Sequence, residues 1–325
     1  MESREEKIQA RPILSGVGRN REVRPALKRK LKIVGSVIFL TAVACVNLPG
    51  AALGDGPPTA VHRRLDMEQA ARDNPFLLVP HRPNYILPVS YNSTPNDEPF
   101  GYEPGTFDEL EMKFQVSLKV KLGEGMFGGV GNLYAAYTNR SWWQAYNSER
   151  SSPFRETNHE PELFLLYDTD WHFMGMRASS LIMGISHQSN GQGGTLSRSW
   201  NRLFLNLILE KGDLVLSLKP WYRLPESEKT DPDDPSGDDN PDINHYMGSG
   251  ELGILYRKKR NTLTFLVRNN LKQDNRGTVE IGWSYPLSGG IKGYVQFFDG
   301  YGESLIDYDH RNTRIGAGFL LGDWL

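Results

Sequence analysis

Between Met112 and Leu122 the chain reads MKFQVSLKVKL, and every second residue is apolar. Met112, Phe114, Val116, Leu118, Val120 and Leu122 share one face of an extended chain, while Lys113, Gln115, Ser117, Lys119 and Lys121 share the other. Period two defines a strand, because successive side chains point to opposite faces. One face must therefore leave water and the other must keep polar contacts. The same alternation returns at Leu214–Leu216–Leu218, Leu263–Phe265–Val267, Val279–Ile281–Trp283 and Val295–Phe297. A sandwich would pack the apolar face on a second sheet, and a membrane barrel would give it to lipid. Alternation alone does not separate the two.

The connections favour the barrel. Twelve candidate strands cover 84–92, 110–122, 129–143, 158–170, 178–189, 198–210, 213–223, 245–256, 261–270, 276–285, 290–299 and 311–325. Long links at 93–109, 144–157, 224–244 and 300–310 alternate with short ones at 211–212, 257–260 and 286–289. An even strand count with long loops at one end and short turns at the other is the outer-membrane pattern. The expected fold is thus all-β, a 12-stranded antiparallel transmembrane β-barrel over residues 84–325. The chain ends as a strand, with Ile315, Ala317, Phe319 and Leu321 on one face, and closes on Trp324-Leu325.

Composition agrees. A mean hydropathy of −0.49 looks soluble, but half of every barrel strand faces inward and is polar. Aromatics at 11% and 33 glycines suit interfacial girdles and tight turns, and also suit a secreted sandwich. The formal net charge of −2 gives no field that would draw nucleic acid. A single cysteine, Cys45, excludes a disulfide framework.

One long apolar run exists, preceded by Lys28, Arg29, Lys30 and Lys32 and followed by Gly50, Ala51 and Ala52. Its core from Ile33 to Ala44 is short for a membrane span. Residues 1–52 therefore read as a basic extension and signal peptide, and 53–83 as a polar periplasmic lead-in. The Ala42-Val43-Ala44-Cys45 stretch looks like a lipoprotein box but lacks its usual Leu.

The chemistry concentrates in GISHQSNGQGGTLSRSWNR, from Gly184 to Arg202. His187 and Ser189 share the face of Leu181, Met183 and Ile185, and Asn201 shares that of Leu203, Leu205 and Leu207. All three lie at the long-loop ends of their strands. On a barrel they stand on the outer wall at the membrane rim, where a lipid substrate arrives sideways. The plain alternative is a hydrogen-bonded polar row, since Ser, His and Asn are common on hairpins. Polar groups on a lipid face are costly and need one reason or the other. The acidic stretch DPDDPSGDDNPD at 231–242 has the look of a cation site, and reads more simply as a solvated loop.

These segments resemble the outer membrane phospholipase A family of Gram-negative bacteria. The resemblance rests on SWWQAYNSERSSPFRETNHEPELFL from Ser141, HQSNG from His187, SRSWNRL from Ser197, KPWY from Lys219, DDNPDI from Asp238 and GYGESLIDY from Gly300. It covers the second two-thirds of the chain. It implies a calcium-dependent enzyme hydrolysing sn-1 and sn-2 acyl esters of phospholipids and lysophospholipids in the bacterial outer membrane, its site towards the outer leaflet, active as a homodimer.

The roles it implies are Ser189 as nucleophile, His187 as base and then acid, Asn201 as orienter, and the Gly191 backbone N–H in the oxyanion hole. Ca²⁺ would take the carbonyl of Gln192, the side chain of Ser197, and Ser151 from a second copy. Asn139 and Trp143 would lie at the dimer interface. The chain departs from the family in having no carboxylate between Gln192 and Leu196, and Asn139 where Gln is frequent. The runner-up is a non-catalytic barrel, a small pore or structural protein, with Lys113, Lys119 and Arg268 as interior charges.

Overall fold

Alternating side chains become the two sides of a closed wall. The computed structural model describes residues 78–322 other than 130, 232, 233 and 235. The signal segment, most of the lead-in and the Trp324-Leu325 ending lie outside the described residues. After a two-residue strand β1 (Val79–Pro80) come β2 (Asn84–Asn92), β3 (Leu110–Gly125), β4 (Gly131–Trp143), β5 (Phe154–Phe173), β6 (Met176–Ser189) and β7 (Ser199–Lys211). Then follow β8 (Leu214–Arg223), β9 (Gly250–Lys258), β10 (Asn261–Asn269), β11 (Gly277–Pro286), β12 (Lys292–Tyr301) and β13 (Arg311–Gly322). Each strand from β2 onward pairs antiparallel with the next, and β13 pairs with β2. The result is a closed 12-stranded barrel, as the connection pattern predicts. Closure removes every sheet edge, so no backbone group of the wall is left for lipid. No described helix is long and apolar enough to cross a membrane.

The period-two pattern sets the faces as expected. Lys113, Gln115 and Ser117 are buried inside, while Val116 and its apolar neighbours point out. Arg314 is buried, while Ile315, Phe319 and Leu321 are exposed on the outer wall. The inner charges are matched to one another, as buried charges must be. Lys113 Nζ lies 2.8 Å from Glu303, Arg155 pairs with Glu111 and Asp307, Arg202 pairs with Glu160, and Arg314 with Glu111 and Glu303. Arg268 donates to the Gly302 carbonyl at 2.8 Å, and Lys119 Nζ stands 5.1 Å over the Tyr134 ring. The cations that a pore would line up are engaged with the barrel's own groups.

The mouth at the long-loop end holds the apolar core. Trp200, Phe204, Trp221, Ile243, Met247, Leu305 and Tyr308 form one buried cluster there. The 302–310 loop is drawn in rather than solvated: Leu305 N–H donates to Asn158 Oδ1 at 2.9 Å and Ile306 N–H to Glu156 Oε1 at 3.2 Å.

Two strand starts differ most from the expected ones. The expected strand 245–256 begins only at Gly250, because Ile243–Met247 forms a single helical turn. Ile243 and Met247 are spaced for one side of a helix, and both are buried in the mouth cluster. Gly248 then turns the chain at φ 71°, with a virtual Cβ 2.3 Å from the Asn269 carbonyl oxygen, so no other residue fits. β5 starts at Phe154 rather than 158, because Arg155 already points inward to its two carboxylates.

Candidate active site on the outer wall

The β6–β7 register places His187 directly opposite Asn201. Their side chains meet on the outward face, with His187 Nδ1 2.9 Å from Asn201 Oδ1. A carbonyl oxygen can only accept, so Nδ1 carries a proton, and in the neutral ring the lone pair is on Nε2. Inward neighbours mark the opposite face: Ser186 and Arg202 are buried, while Ile185 beside His187 is 50% exposed. Ser189 stands two residues further along the same face, at the loop end, opposite Ser199 on one side and His159 on the other. No hydrogen bond joins Ser189 Oγ to His187 in this structure. His187 and Asn201 are joined, and Ser189 is their neighbour on the same face.

The loop 190–198 is held by its own first residue. Asn190 N–H donates to the Arg198 carbonyl at 3.0 Å, its side-chain amide donates to the Leu196 carbonyl at 2.8 Å, and its Oδ1 accepts from Arg198 N–H at 3.0 Å and Gln192 N–H at 3.3 Å. Gly191 follows at φ 67°, the left-handed conformation that favours glycine. Its virtual Cβ lies 3.7 Å from the His159 ring. The Gly191 backbone is thus fixed immediately beyond Ser189.

Three residues of this neighbourhood do not stand out in the sequence. His159 faces outward, its Nδ1 2.6 Å from the Tyr137 hydroxyl and 3.3 Å from Asn139 Nδ2. Asp239 reaches from the 224–249 loop, where its Oδ2 accepts from Ser197 Oγ at 2.8 Å and Ser199 Oγ at 3.2 Å, and its Oδ1 faces Lys229 Nζ at 2.7 Å. Glu226 accepts from Asn201 Nδ2 at 3.0 Å. Acidic composition hinted at Asp239, but nothing local singles it out among its neighbours.

The remaining expected residues are spread along the rim. Ser197 meets the Asp239 carboxylate, and Gln192 lies exposed in the same loop. Ser151 is exposed in the 144–153 loop at φ 58°, and no hydrogen bond joins it to Gln192 or Ser197. Among the described residues no three His, Cys, Asp or Glu side chains gather as a metal cluster. Ser197, the Gln192 carbonyl and Asp239 are hard oxygen donors, the type Ca²⁺ takes. Asn139 and Trp143 lie on the outward face of β4. Trp143 stacks on Phe154 with centroids 5.4 Å apart, and Asn139 Oδ1 accepts from Ser141 Oγ at 3.1 Å. Beyond Val116 the register runs through Asn139, His159, Ser189 and Ser199, a polar row on the outward side of the wall.

The family profile described as Phospholipase A1 matches residues 61–321. The chain belongs to the phospholipase A1 family. It is 42% identical over 253 residues to Phospholipase A1 of Klebsiella pneumoniae, covering 77% of this chain and 84% of that protein. Against Phospholipase A1 of Escherichia coli K12 it is 41% identical over 252 residues, covering 77% and 83%. The solved outer membrane phospholipase A from Escherichia coli superposes with a TM-score of 0.71 at 42% identity, over 78% of this chain and 95% of that one. The Salmonella typhi outer membrane phospholipase, solved as a dimer with bound calcium, gives 0.71 at 41% identity, over 78% and 94%. This phospholipase is accordingly an outer-membrane β-barrel enzyme, and its alternating wall is the membrane-spanning surface.

Proposed function

We propose that this phospholipase cleaves sn-1 and sn-2 acyl esters of phospholipids and lysophospholipids on its outer wall through Ser189, His187 and Asn201. The observation that carries the reading is the His187–Asn201 bond of 2.9 Å on a face otherwise given to lipid. A structural row needs hydrogen bonds but no basic nitrogen left unbonded. Here Nε2 is left as an acceptor on the side of the wall from which an ester arrives.

Ser189 Oγ attacks the ester carbonyl carbon as its proton passes to His187 Nε2. The Gly191 N–H stabilises the oxygen that becomes negative. When the C–O bond to the glycerol breaks, His187 returns the proton to that oxygen and the acyl group stays on Ser189. A water then attacks the acyl-serine, giving its proton to His187, and the fatty acid leaves as Ser189 Oγ is reprotonated. Asn201 keeps the imidazole in the productive tautomer throughout.

The Gln192 carbonyl, the Ser197 hydroxyl and the Asp239 carboxylate would hold Ca²⁺, with Ser151 supplied by a second copy across the Asn139 and Trp143 face. Bound there, the ion supplies positive charge to the oxyanion. The Asp239 carboxylate provides the charge that the 190–198 loop itself lacks.

The test is fatty-acid release from phospholipid–detergent mixed micelles, with calcium and with chelator. Ser189→Ala is expected to lose at least about 10³-fold in rate while keeping heat-modifiable migration, the mark of a folded barrel. Near-normal activity in Ser189→Ala would overturn the assignment.

A further inference from the structure

Asn201 is a neutral orienter whose two ends are nearly the same shape. Turned one way, its oxygen meets His187 Nδ1. Turned the other way, its NH₂ would donate to Nδ1, moving the imidazole proton to Nε2 and leaving no acceptor for the Ser189 proton. Something must choose between the two. An ionised carboxylate only accepts, so a carboxylate behind the amide takes the NH₂ and sends the oxygen forward. Glu226 Oε1 stands 3.0 Å from Asn201 Nδ2 while Asn201 Oδ1 stands 2.9 Å from His187 Nδ1.

We propose that Glu226 is a positioning residue of the reaction, a fourth member behind the triad that orients the Asn201 amide and lends the relay the negative charge that asparagine lacks. The inference rests on the Ser189–His187–Asn201 reading above.

The fold delivers Glu226 to this place. Leu224 N–H donates to the Asn201 carbonyl at 2.8 Å, tying the start of the 224–249 loop to the catalytic strand two residues before Glu226. The loop is then closed by a bridge between Glu228 and Asp238, with Asp238 N–H donating to the Ser227 carbonyl at 2.8 Å. The charges around it are matched elsewhere: Arg223 pairs with Asp238, and Lys229 with Asp239. Asn201 is the one side-chain partner of Glu226 among the described residues. His159, the other titratable group beside the nucleophile, is bonded to Tyr137 instead.

Charge matters because His187 becomes an imidazolium when it takes the Ser189 proton. Ile185 and Leu203 flank the pair, and lipid covers this wall, so an anion one amide away acts through a poorly screening medium. The carboxylate polarises the amide, and the amide oxygen holds the imidazolium more strongly.

The experiment measures kcat and its pH dependence in phospholipid–detergent mixed micelles for the full-length protein and for Glu226→Gln, Glu226→Asp, Asn201→Ala and the Glu226→Gln/Asn201→Ala pair. Glu226→Gln should lower kcat by roughly ten- to hundredfold, the range of a charge-assisted hydrogen bond. Its acid limb should move to lower pH, because the protonated, inactive imidazole is no longer favoured. Glu226→Asp should recover part of the rate and return the acid limb towards its original position. In the Asn201→Ala background Glu226→Gln should change the rate by less than about twofold, since the relay is already cut. A merely structural glutamate would move neither the acid limb nor the coupling to Asn201. Full rate and an unmoved acid limb in Glu226→Gln, or an equal further loss in the Asn201→Ala background, would overturn the inference. Ser189→Ala and His187→Ala run alongside: if both are inactive while Glu226→Gln is normal, only the role of Glu226 fails. Activity in either would overturn the triad itself.

Discussion

His159 stands directly across the β5–β6 pair from Ser189, yet its ring is turned to Tyr137, whose hydroxyl lies 2.6 Å from Nδ1. Two histidines therefore flank Ser189 on one face. Of the two, only His187 is bonded to an amide oxygen, the geometry that the proposed general base requires.

The two should respond differently to substitution. His187→Ala is expected to lose at least about 10³-fold in fatty-acid release, as removal of a general base does. His159→Phe keeps a ring against Tyr137 and Gly191 and should stay within about tenfold of the parent. Rates of the two variants in the same micelles decide it. Equal inactivity would mean that the base has been assigned to the wrong ring.

Asp239 predicts how calcium is used. Its carboxylate is bonded to Ser197 Oγ at 2.8 Å and balanced by Lys229. Asp239→Asn would remove the one charged ligand of the proposed calcium site, whose other ligands are neutral oxygens. The calcium concentration for half-maximal activity should rise by at least about tenfold, and the fraction of crosslinked dimer should follow the same curve. Calcium titrations of activity and of crosslinking, run together in detergent, measure both. Coincident curves for the parent and Asp239→Asn would remove Asp239 from the site.

The buried carboxylates at the mouth predict an acid limit to stability. Burial alone would raise the Glu303 carboxyl, but Arg314 and Lys113 outweigh it and hold the group well below the usual range. Asp307 is likewise held down by Arg155 and Ser304 against its burial. A carboxylate depressed in the folded state stabilises the fold above its unfolded value, about 4 for these groups. That contribution is lost as pH falls through the folded value. The contribution of these two carboxylates to heat-modifiability should thus hold from neutral pH to about 5 and fall below about 4. Glu303→Gln should flatten this decline and cost about 3–5 kcal/mol at neutral pH, because it leaves Lys113 without a carboxylate and Arg314 with Glu111 alone. Unfolding midpoints across pH for the two proteins test it, and an unchanged acid decline in Glu303→Gln would place its origin elsewhere.

Much of this enzyme is written locally. Alternation with period two dictates which side of each strand is wet, so Lys113 and Arg314 inside and Val116 and Ile315 outside follow from sequence. The same rule places His187, Ser189 and Asn201 on one face, and the two strands that carry them are consecutive, joined by the 190–198 hairpin loop. Their pairing needs only local register. The start of β9 was not legible, because Ile243 and Met247 obey the spacing of a helical turn drawn into the mouth cluster.

The partners that refine the site came only with the tertiary structure. His159 reaches Ser189 through the β5–β6 register, which residues far apart in the chain settle together as the barrel closes. Asp239 and Glu226 arrive on a long loop whose course depends on ion pairs at 223–238 and 229–239 and on one backbone bond to Asn201. The 302–310 segment reads only as part of a long link until the ring shuts and gives Glu303 and Asp307 their arginines. Side-chain alternation is a property of each strand, readable two residues at a time. Register, loop course and buried charge pairing are properties of the closed ring, and they exist only when all of its strands are in place.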